Sequence, residues 1–123
     1  MDYIQAVIHE IQRQEEINSK IKVRYVISID RTLSVEEAQD SLALCVEAQK
    51  LNPGYIVGIE LSGDPRAGSF ESLKPVFEQA RTEHGLKVTL HCAETIEQAG
   101  DEAQAMIDFK PDRLGHCCHL SPE

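Results

Sequence analysis

The feature that most constrains the fold is an alternation of strand-like and helix-like segments along the whole chain. Short runs rich in β-branched residues are followed by longer segments with apolar residues at helical spacing. Such alternation is typical of a parallel sheet, because each crossover helix returns the chain to the same edge. The fold class is therefore α/β, with strands predicted over residues 22–29, 55–61, 86–91 and 112–116.

Helices are predicted before and between these strands. Ser34 begins the segment SVEE, whose acid three positions later makes a capping-box pattern. Gly85 stands where a helix stop is needed. The helices are predicted over residues 2–18, from Ser34 to about Lys50, from about Ser69 to His84, and over residues 95–108.

Two architectures fit this order, an open doubly wound sheet or part of a (β/α)8 barrel. No G-x-G-x-x-G or phosphate-binding loop follows any strand, which weakens the open nucleotide-binding sheet. One strand face is apolar and includes Val57, whereas the other is mixed, includes Ile56, and ends in Asp30, Glu60 and His91. Catalytic groups gather at the carboxyl ends of barrel strands. We therefore predict a partial TIM (β/α)8 barrel of about four parallel strands with crossover helices.

The formal net charge of −9 limits the partners. An acidic chain is repelled by a nucleic-acid backbone and by an anionic bilayer. Neither a nucleic-acid polymer nor a membrane is therefore expected as a partner. The start of the chain lacks the basic end and apolar stretch of a secretory signal. With four cysteines, two of them adjacent, the simplest expectation is reduced thiols in the cytosol. Nothing in the sequence indicates an oligomeric state.

Three polar segments stand at strand ends, namely ELSGDP (60–65), HCAE (91–94) and DRLGH (112–116). In this order they resemble the G-[ILV]-[DE]-L-[AS]-G-D, H-x-[AG]-E and D-R-[IL]-G-H segments of the adenosine deaminase family. The resemblance covers about residues 20–120, and the ordered set is more specific than any one motif. SGDP and the SIDR ending of the first strand look closest to the adenosine deaminase-like branch, which resembles N(6)-methyl-AMP deaminases.

This resemblance implies Zn²⁺-dependent hydrolytic deamination of a purine nucleoside or nucleotide at C6, giving inosine or IMP. His91 is then a zinc ligand, since a neutral imidazole binds divalent metals. Glu94 corresponds to the acid that protonates ring N1, and His116 to the residue that helps deprotonate the attacking water. Taken alone, these residues would be read as structural histidines and a solvated glutamate. HCAE differs from the commoner HAGE at Cys92 and Ala93, and losing that glycine bears on how Glu94 is presented.

Other residues around the site carry weaker expectations. Gly63 corresponds to the glycine whose backbone amide approaches the purine, although Gly-Asp-Pro is equally an ordinary turn. Asp64 is carried over only as a pocket residue, and Glu60 as an inward acid that supports the site. A cysteine and histidine metal cluster of Cys92 with residues 117–119 is disfavoured, because the spacings match no C-x2-C pair.

A catalytic zinc needs about three protein ligands, and this chain offers one that is convincing. The resembled family takes two histidines from an H-x-H on its first strand and an aspartate from a late strand, and neither is visible here. Residues 1–123 are therefore expected to be the central part of a single incomplete barrel domain, inactive by itself. Two alternatives stay open, a non-catalytic short isoform that acts as a binding module and another metal-dependent hydrolase. Adenosine, AMP and N(6)-methyl-AMP are not distinguished.

Overall fold

The strands and helices alternate as the sequence predicts in the computed structural model, which describes residues 1–120. Residues 121–123, at the end of the domain predicted over 1–123, lie outside the described residues. The predicted α/β class is confirmed. The strands are β1 (Tyr25–Asp30), β2 (Ile56–Ser62), β3 (Lys87–Cys92) and β4 (Arg113–His116).

The helices are α1 (Asp2–Ile17), α2 (Val35–Leu51), α3 (Phe70–His84) and α4 (Asp101–Asp108), and the first three begin and end close to the predicted residues. The capping box is present, because the Ser34 hydroxyl accepts the Glu37 N–H and the Glu37 carboxylate accepts the Ser34 N–H. Gly85 ends α3 in the left-handed region. Within residues 1–120, no helix combines the length and apolarity that crossing a bilayer requires.

The prediction of one helix over residues 95–108 is wrong in its first half. A short 3-10 turn covers Ile96–Gln98, and α4 begins only after Gly100. Gly100 has φ −101° and ψ −127°, far from helical values, and glycine is a poor helix former. The break leaves Gln98 on a separate turn beside the end of β3.

The sheet has the strand order β1-β2-β3-β4, and every neighbouring pair is parallel. A doubly wound sheet reverses its strand order at a switch point, whereas a barrel adds each strand beside the previous one. Helix α2 packs on β1, β2 and α3, and α3 packs on β2, β3 and α4. All three crossover helices therefore cover the same face, as they do in a segment of a (β/α)8 barrel.

The face under the helices forms the core. Ile29 and Leu61 are opposite each other in register, Leu61 is opposite Leu90, and all three are fully buried. The uncovered face carries Ser28 and Glu60, which are opposite each other in neighbouring strands. The core also includes Ile8, Ile27, Leu42, Ile59, Phe70, Leu73, Phe77, Val88, Met106 and Phe109.

The predicted faces of Ile56 and Val57 are wrong. Ile56 is 2% exposed and belongs to the core, whereas Val57 is only half-buried. The register shifts by one residue here, because Tyr25 pairs with Ile56 but Val26 pairs with Gly58. Such an irregularity moves the following side chains to the other face, which simple alternation does not foresee.

Asp112 fastens the start of β4 to β3. Its carboxylate accepts the Val88 N–H at 2.8 Å, and its own N–H donates to the Val88 carbonyl at 2.8 Å. The Lys87 ammonium lies 2.9 Å from the same carboxylate. The Val88 N–H and the Lys87 side chain hold the pKa of Asp112 below its ordinary value of 3.8.

We expect Asp112→Ala to lower the free energy of unfolding by about 1–2 kcal/mol, since the Val88 N–H loses its partner. Because the pKa of Asp112 is depressed in the folded state, its stabilisation is present above about pH 4 and is lost as pH falls through the folded pKa. Urea unfolding at pH 7 and at successively lower pH measures this. The difference in free energy of unfolding between the wild type and Asp112→Ala should become smaller as the pH falls. A difference that grows on acidification would contradict this role of Asp112.

Candidate metal centre and active site

Three of the predicted site residues come together at the carboxyl ends of β3 and β4. His91 lies in β3, Glu94 lies two residues beyond the end of β3, and His116 is the last residue of β4. One donor atom from each lies within 4.8 Å of the others. Their side chains are 30% to 39% exposed, so a ligand can reach all three from the open side of the sheet.

The distances suit a shared ligand better than direct bonds. The His116 Nε2 lies 3.7 Å from a Glu94 carboxylate oxygen, which is longer than a hydrogen bond. The His91 and His116 rings are nearly perpendicular, with centroids 5.0 Å apart. Two imidazoles and a carboxylate are donors that zinc accepts, so the chemistry of this cluster fits a divalent transition metal.

The backbone at the end of β4 brings His116 into the cluster. His116 is opposite Cys92 in register, and a regular pleat would turn its side chain to the buried face where Cys92 lies. Instead φ is 60° at both His116 and Cys117, and the ring lies beside His91. Each left-handed non-glycine residue costs about 1–2 kcal/mol. Backbone strain of this kind concentrates at functional sites.

Ala93 occupies the position where HAGE has glycine. It is fully buried and has φ 46°, again in the left-handed region. The turn that glycine would form without strain is therefore formed by alanine, and Glu94 still lies beside His116. The expectation that the missing glycine matters for Glu94 thus acquires a physical basis, a strained peptide immediately before it.

Glu60 lies at the edge of this cluster. One of its carboxylate oxygens lies 3.8 Å from the His91 Nε2, and its side chain is 24% exposed. That distance is too long for a hydrogen bond but close enough for attraction if His91 is protonated. A supporting role for Glu60 stays a prediction.

Gly63 and Asp64 have structural roles that need no ligand. Gly63 has φ 108°, and a Cβ there would lie 2.6 Å from a carboxylate oxygen of Asp30. The Asp64 carboxylate accepts both the backbone N–H and the guanidinium of Arg66, and these bonds lower the pKa of Asp64. Asp64 is not part of the cluster of described metal-type donors. Contact of Gly63 or Asp64 with a purine stays a prediction.

The cysteines stand apart from the metal-type cluster that residues 1–120 form, which contains no sulfur. Cys45 and Cys92 are buried, and burial raises the pKa of each thiol to about 11. Cys117 is half-buried and Cys118 is exposed. The thiols that follow β4 were expected to be buried, and this expectation is wrong, because Cys118 is exposed and Cys117 is only half-buried.

A buried polar network behind the cluster was not expected from the sequence. Arg31, just after β1, is 3% exposed and donates to both carboxylate oxygens of Glu102, at 2.7 and 2.9 Å. Glu102 accepts the Gln98 side-chain N–H at 3.2 Å, and Gln98 accepts the backbone N–H of Glu94 at 3.0 Å. No sequence pattern marks Gln98 as buried or Glu102 as the partner of Arg31, because such residues are usually solvated.

The four consecutive parallel strands, with two histidines and a glutamate at their carboxyl ends, define a segment of an α/β barrel with a metal-type donor cluster. The sequence profile of the family described as adenosine deaminase matches residues 1–121. The chain therefore belongs to the adenosine deaminase family, and the resemblance seen in the three motifs is confirmed.

Relatives of known name extend this finding. The chain is 40% identical over 122 residues to the adenosine deaminase-like protein of Drosophila melanogaster, a match that covers 99% of this chain and 35% of that protein. It is 36% identical over 120 residues to the N6-methyl-AMP deaminase of Bos taurus, covering 97% of this chain and 33% of the relative. The chain thus spans about a third of the length of these curated relatives.

Solved structures of an Arabidopsis thaliana protein of this kind are also similar. Arabidopsis N6-mAMP deaminase superposes with a TM-score of 0.74 and 38% identity, over 83% of this chain and 29% of that one. The Arabidopsis ADAL complexes with IMP and with GMP give the same TM-score and identity, over 83% of this chain and 28% of each. These neighbours support the partial barrel.

We expect Ala93→Gly to change the free energy of unfolding by less than about 1 kcal/mol, because relief of the left-handed strain offsets the greater freedom of glycine in the unfolded chain. Ala93→Val, which adds a branched side chain at the same buried position, should cost at least about 2 kcal/mol. Urea midpoints at constant slope measure both. Equal stability of the valine variant and the wild type would refute the strain at Ala93.

Proposed function

We propose that residues 1–123 form the central part of a single barrel domain whose full-length protein is a zinc-dependent purine deaminase acting at C6. The observation that carries this proposal is the meeting of His91, Glu94 and His116 at the carboxyl ends of β3 and β4 in a chain of the adenosine deaminase family. Active sites of (β/α)8 barrels are built at that edge. The cytosol remains the expected location.

In this proposal His91 would hold the zinc ion, with further ligands from parts of the barrel outside this chain. The imidazole of His91 supports the choice of metal, since a neutral imidazole is a common zinc ligand. When bound, zinc supplies a water whose pKa is lowered to about 7. Glu60, 3.8 Å from His91, would then favour a fixed orientation of that ring.

The two remaining residues have complementary proton-transfer roles. Attack of water at C6 places electron density on ring N1, so a proton must be delivered there, and we assign that delivery to Glu94. His116, whose Nε2 lies 3.7 Å from the Glu94 carboxylate, takes a proton from the attacking water. The nitrogen at C6 takes up the proton that His116 has accepted and leaves as ammonia or an alkylamine, while the 6-hydroxyl returns its proton to Glu94, so the purine keeps a 6-oxo group.

The substrate we favour is a nucleotide, N6-methyl-AMP or AMP. Relatives of this chain are named N6-methyl-AMP deaminases, and the Arabidopsis ADAL structures hold IMP or GMP, both 6-oxopurine nucleotides. IMP is what remains after hydrolysis of the 6-amino or 6-methylamino group of the corresponding nucleotide. The partner is therefore a small molecule.

The test uses the full-length protein, meaning this chain extended at both ends by its own coding sequence. Zinc content and turnover of adenosine, AMP and N6-methyl-AMP are measured on it and on the 123-residue chain. We expect about one zinc and deamination of a nucleotide in the full-length protein only, since a catalytic site needs about three protein ligands. If neither protein bound zinc or turned over a purine, the binding-module alternative would be favoured.

In the full-length protein, we expect Glu94→Gln to lower kcat by about 10² to 10⁴, because the amide cannot deliver the proton to N1. Zinc content should stay unchanged, since Glu94 is not assigned as a ligand. Glu71→Gln is the matched control, because Glu71 is an exposed glutamate on α3 and its loss should leave kcat unaltered. Full turnover by Glu94→Gln with its metal intact would overturn the role of Glu94.

Metal content separates the two histidines. His91→Ala should lose bound zinc, whereas His116→Ala should retain zinc and lose kcat by about 10² or more, since only proton transfer is impaired. His9→Ala, an exposed histidine of α1, is the control for loss of an imidazole elsewhere. Equal loss of zinc in the His91 and His116 variants would show that both are ligands and would contradict the proposed division of roles.

A further inference from the structure

We propose that Gln98 is a positioning residue for Glu94, and that the Arg31–Glu102 ion pair is its anchor. The proposal rests on the proposed function in one respect, the chemical role of Glu94. Gln98 is 3% exposed and cannot itself contact a substrate on the open side of the sheet. Its side chain links the backbone of Glu94 to the half-buried carboxylate of Glu102, and its influence on the reaction would act through that link.

Only one orientation of the Gln98 amide fits its surroundings. The oxygen accepts the Glu94 N–H at 3.0 Å, and the nitrogen donates to the Glu102 carboxylate at 3.2 Å. A flipped amide would place N–H against N–H and oxygen against carboxylate. The hydrogen bond to Glu94 is therefore directed by Glu102, and disturbing Glu102 disturbs the peptide before the Glu94 side chain.

The anchor ties three loops at the carboxyl edge of the sheet. Arg31 follows β1 and donates to the Ala67 carbonyl at 2.6 Å, in the loop after β2. The Glu102 carboxylate accepts this guanidinium and also the Phe70 N–H at 2.8 Å, at the start of α3. Through Gln98, the same carboxylate reaches the loop after β3. The network is thus fixed by elements that do not belong to the cluster of His91, Glu94 and His116.

The loop after β2 lies directly against this anchor. Gly68 has φ 62°, and a Cβ there would lie 1.9 Å from the Arg31 carbonyl oxygen. The loop therefore approaches the Arg31 backbone as closely as only glycine allows. The Arg31 guanidinium also donates to the Ala67 and Gly68 carbonyls, so this loop as well as Glu102 holds the Arg31 side chain in place.

Gln98 holds the peptide between Ala93 and Glu94, which is in a strained conformation. Ala93, immediately before Glu94, is in the left-handed region at φ 46° and relaxes if its restraint is removed. Any rotation there displaces the Glu94 carboxylate from His116, 3.7 Å away. Because misplacement of a reacting group by about 1 Å costs on the order of 10²-fold in rate, this hydrogen bond can govern kcat without touching the substrate.

The first experiment compares Gln98→Met with Gln104→Met. Gln104 is an exposed residue of α4 whose side-chain amide donates to Asp108 on its own helix, so it is matched in chemistry but not in position. In the full-length protein we expect Gln98→Met to lower kcat by about 10-fold to 10²-fold, with KM within about 3-fold and zinc content unchanged. In the 123-residue chain, hydrogen exchange at the Glu94 amide should accelerate by about 10-fold or more. Gln104→Met should change none of these.

A charge swap provides a rescue. Gln98→Glu places two carboxylates face to face and should lose kcat as Gln98→Met does. Adding Glu102→Gln restores a donor between positions 98 and 102 while keeping acceptors for Glu94 and Arg31. The kcat of the double variant should be at least about 3-fold higher than that of Gln98→Glu alone, because its chain of hydrogen bonds is complete again.

The outcomes separate this proposal from the one on which it rests. If the wild-type full-length protein deaminates no purine, the proposed function fails, and hydrogen exchange at Glu94 still decides whether Gln98 positions that residue. If the wild type is active but Gln98→Met matches Gln104→Met in kcat and exchange, Gln98 positions nothing. If Gln98→Met lost its zinc, or if a rise in KM accounted for its whole loss of activity, the network would have only a structural role. That result would also overturn the proposal.

Discussion

The structure depends on one constraint of chain topology. Each strand runs parallel to the previous strand and is added on the same side of it. Because the connections are made by helices of one hand, all the crossover helices fall on one face and leave the other uncovered. The sheet therefore has one apolar face buried under helices and one mixed face that ends in polar groups at the carboxyl edge. The cluster of His91, Glu94 and His116 is a consequence of this geometry, since all strand ends meet at that edge.

The partly buried ion pair between Arg31 and Glu102 supports that edge. Removing the Glu102 carboxylate would cost about 3–5 kcal/mol, because the Arg31 guanidinium would stay buried without its partner. The pair is tolerated since each Glu102 oxygen accepts two N–H groups, from Arg31, Phe70 and Gln98. Its contribution is geometric as much as energetic, for it joins the loops after β1, β2 and β3 in a single hydrogen-bonded set. An apolar substitute of equal volume could not align those three loops.

Much of this arrangement could be predicted from the sequence, and the remainder has identifiable physical causes. The periodicity of apolar residues predicted the strands and helices, and the family resemblance of the segments at the strand ends placed His91 and His116 in one site. The register shift at Val57 could not be predicted, because it depends on which residue of β1 pairs with Ile56. The left-handed backbone at His116 also lies beyond sequence patterns, since histidine carries no preference that requires it. Gln98 was missed because burial of a polar side chain depends on partners distant in sequence.

The four thiols of this chain are graded in accessibility, from exposed Cys118 through half-buried Cys117 to buried Cys92 and Cys45. With a pKa of about 11, a buried thiol is ionised in only on the order of one molecule in ten thousand at neutral pH. An alkylating reagent would therefore modify Cys118 at once, but it would reach Cys45 in α2 and Cys92 at the end of β3 only through opening of the protein. The rates at which Cys45 and Cys92 are alkylated would therefore report opening of the protein at two places, the helix layer and the strand that carries His91.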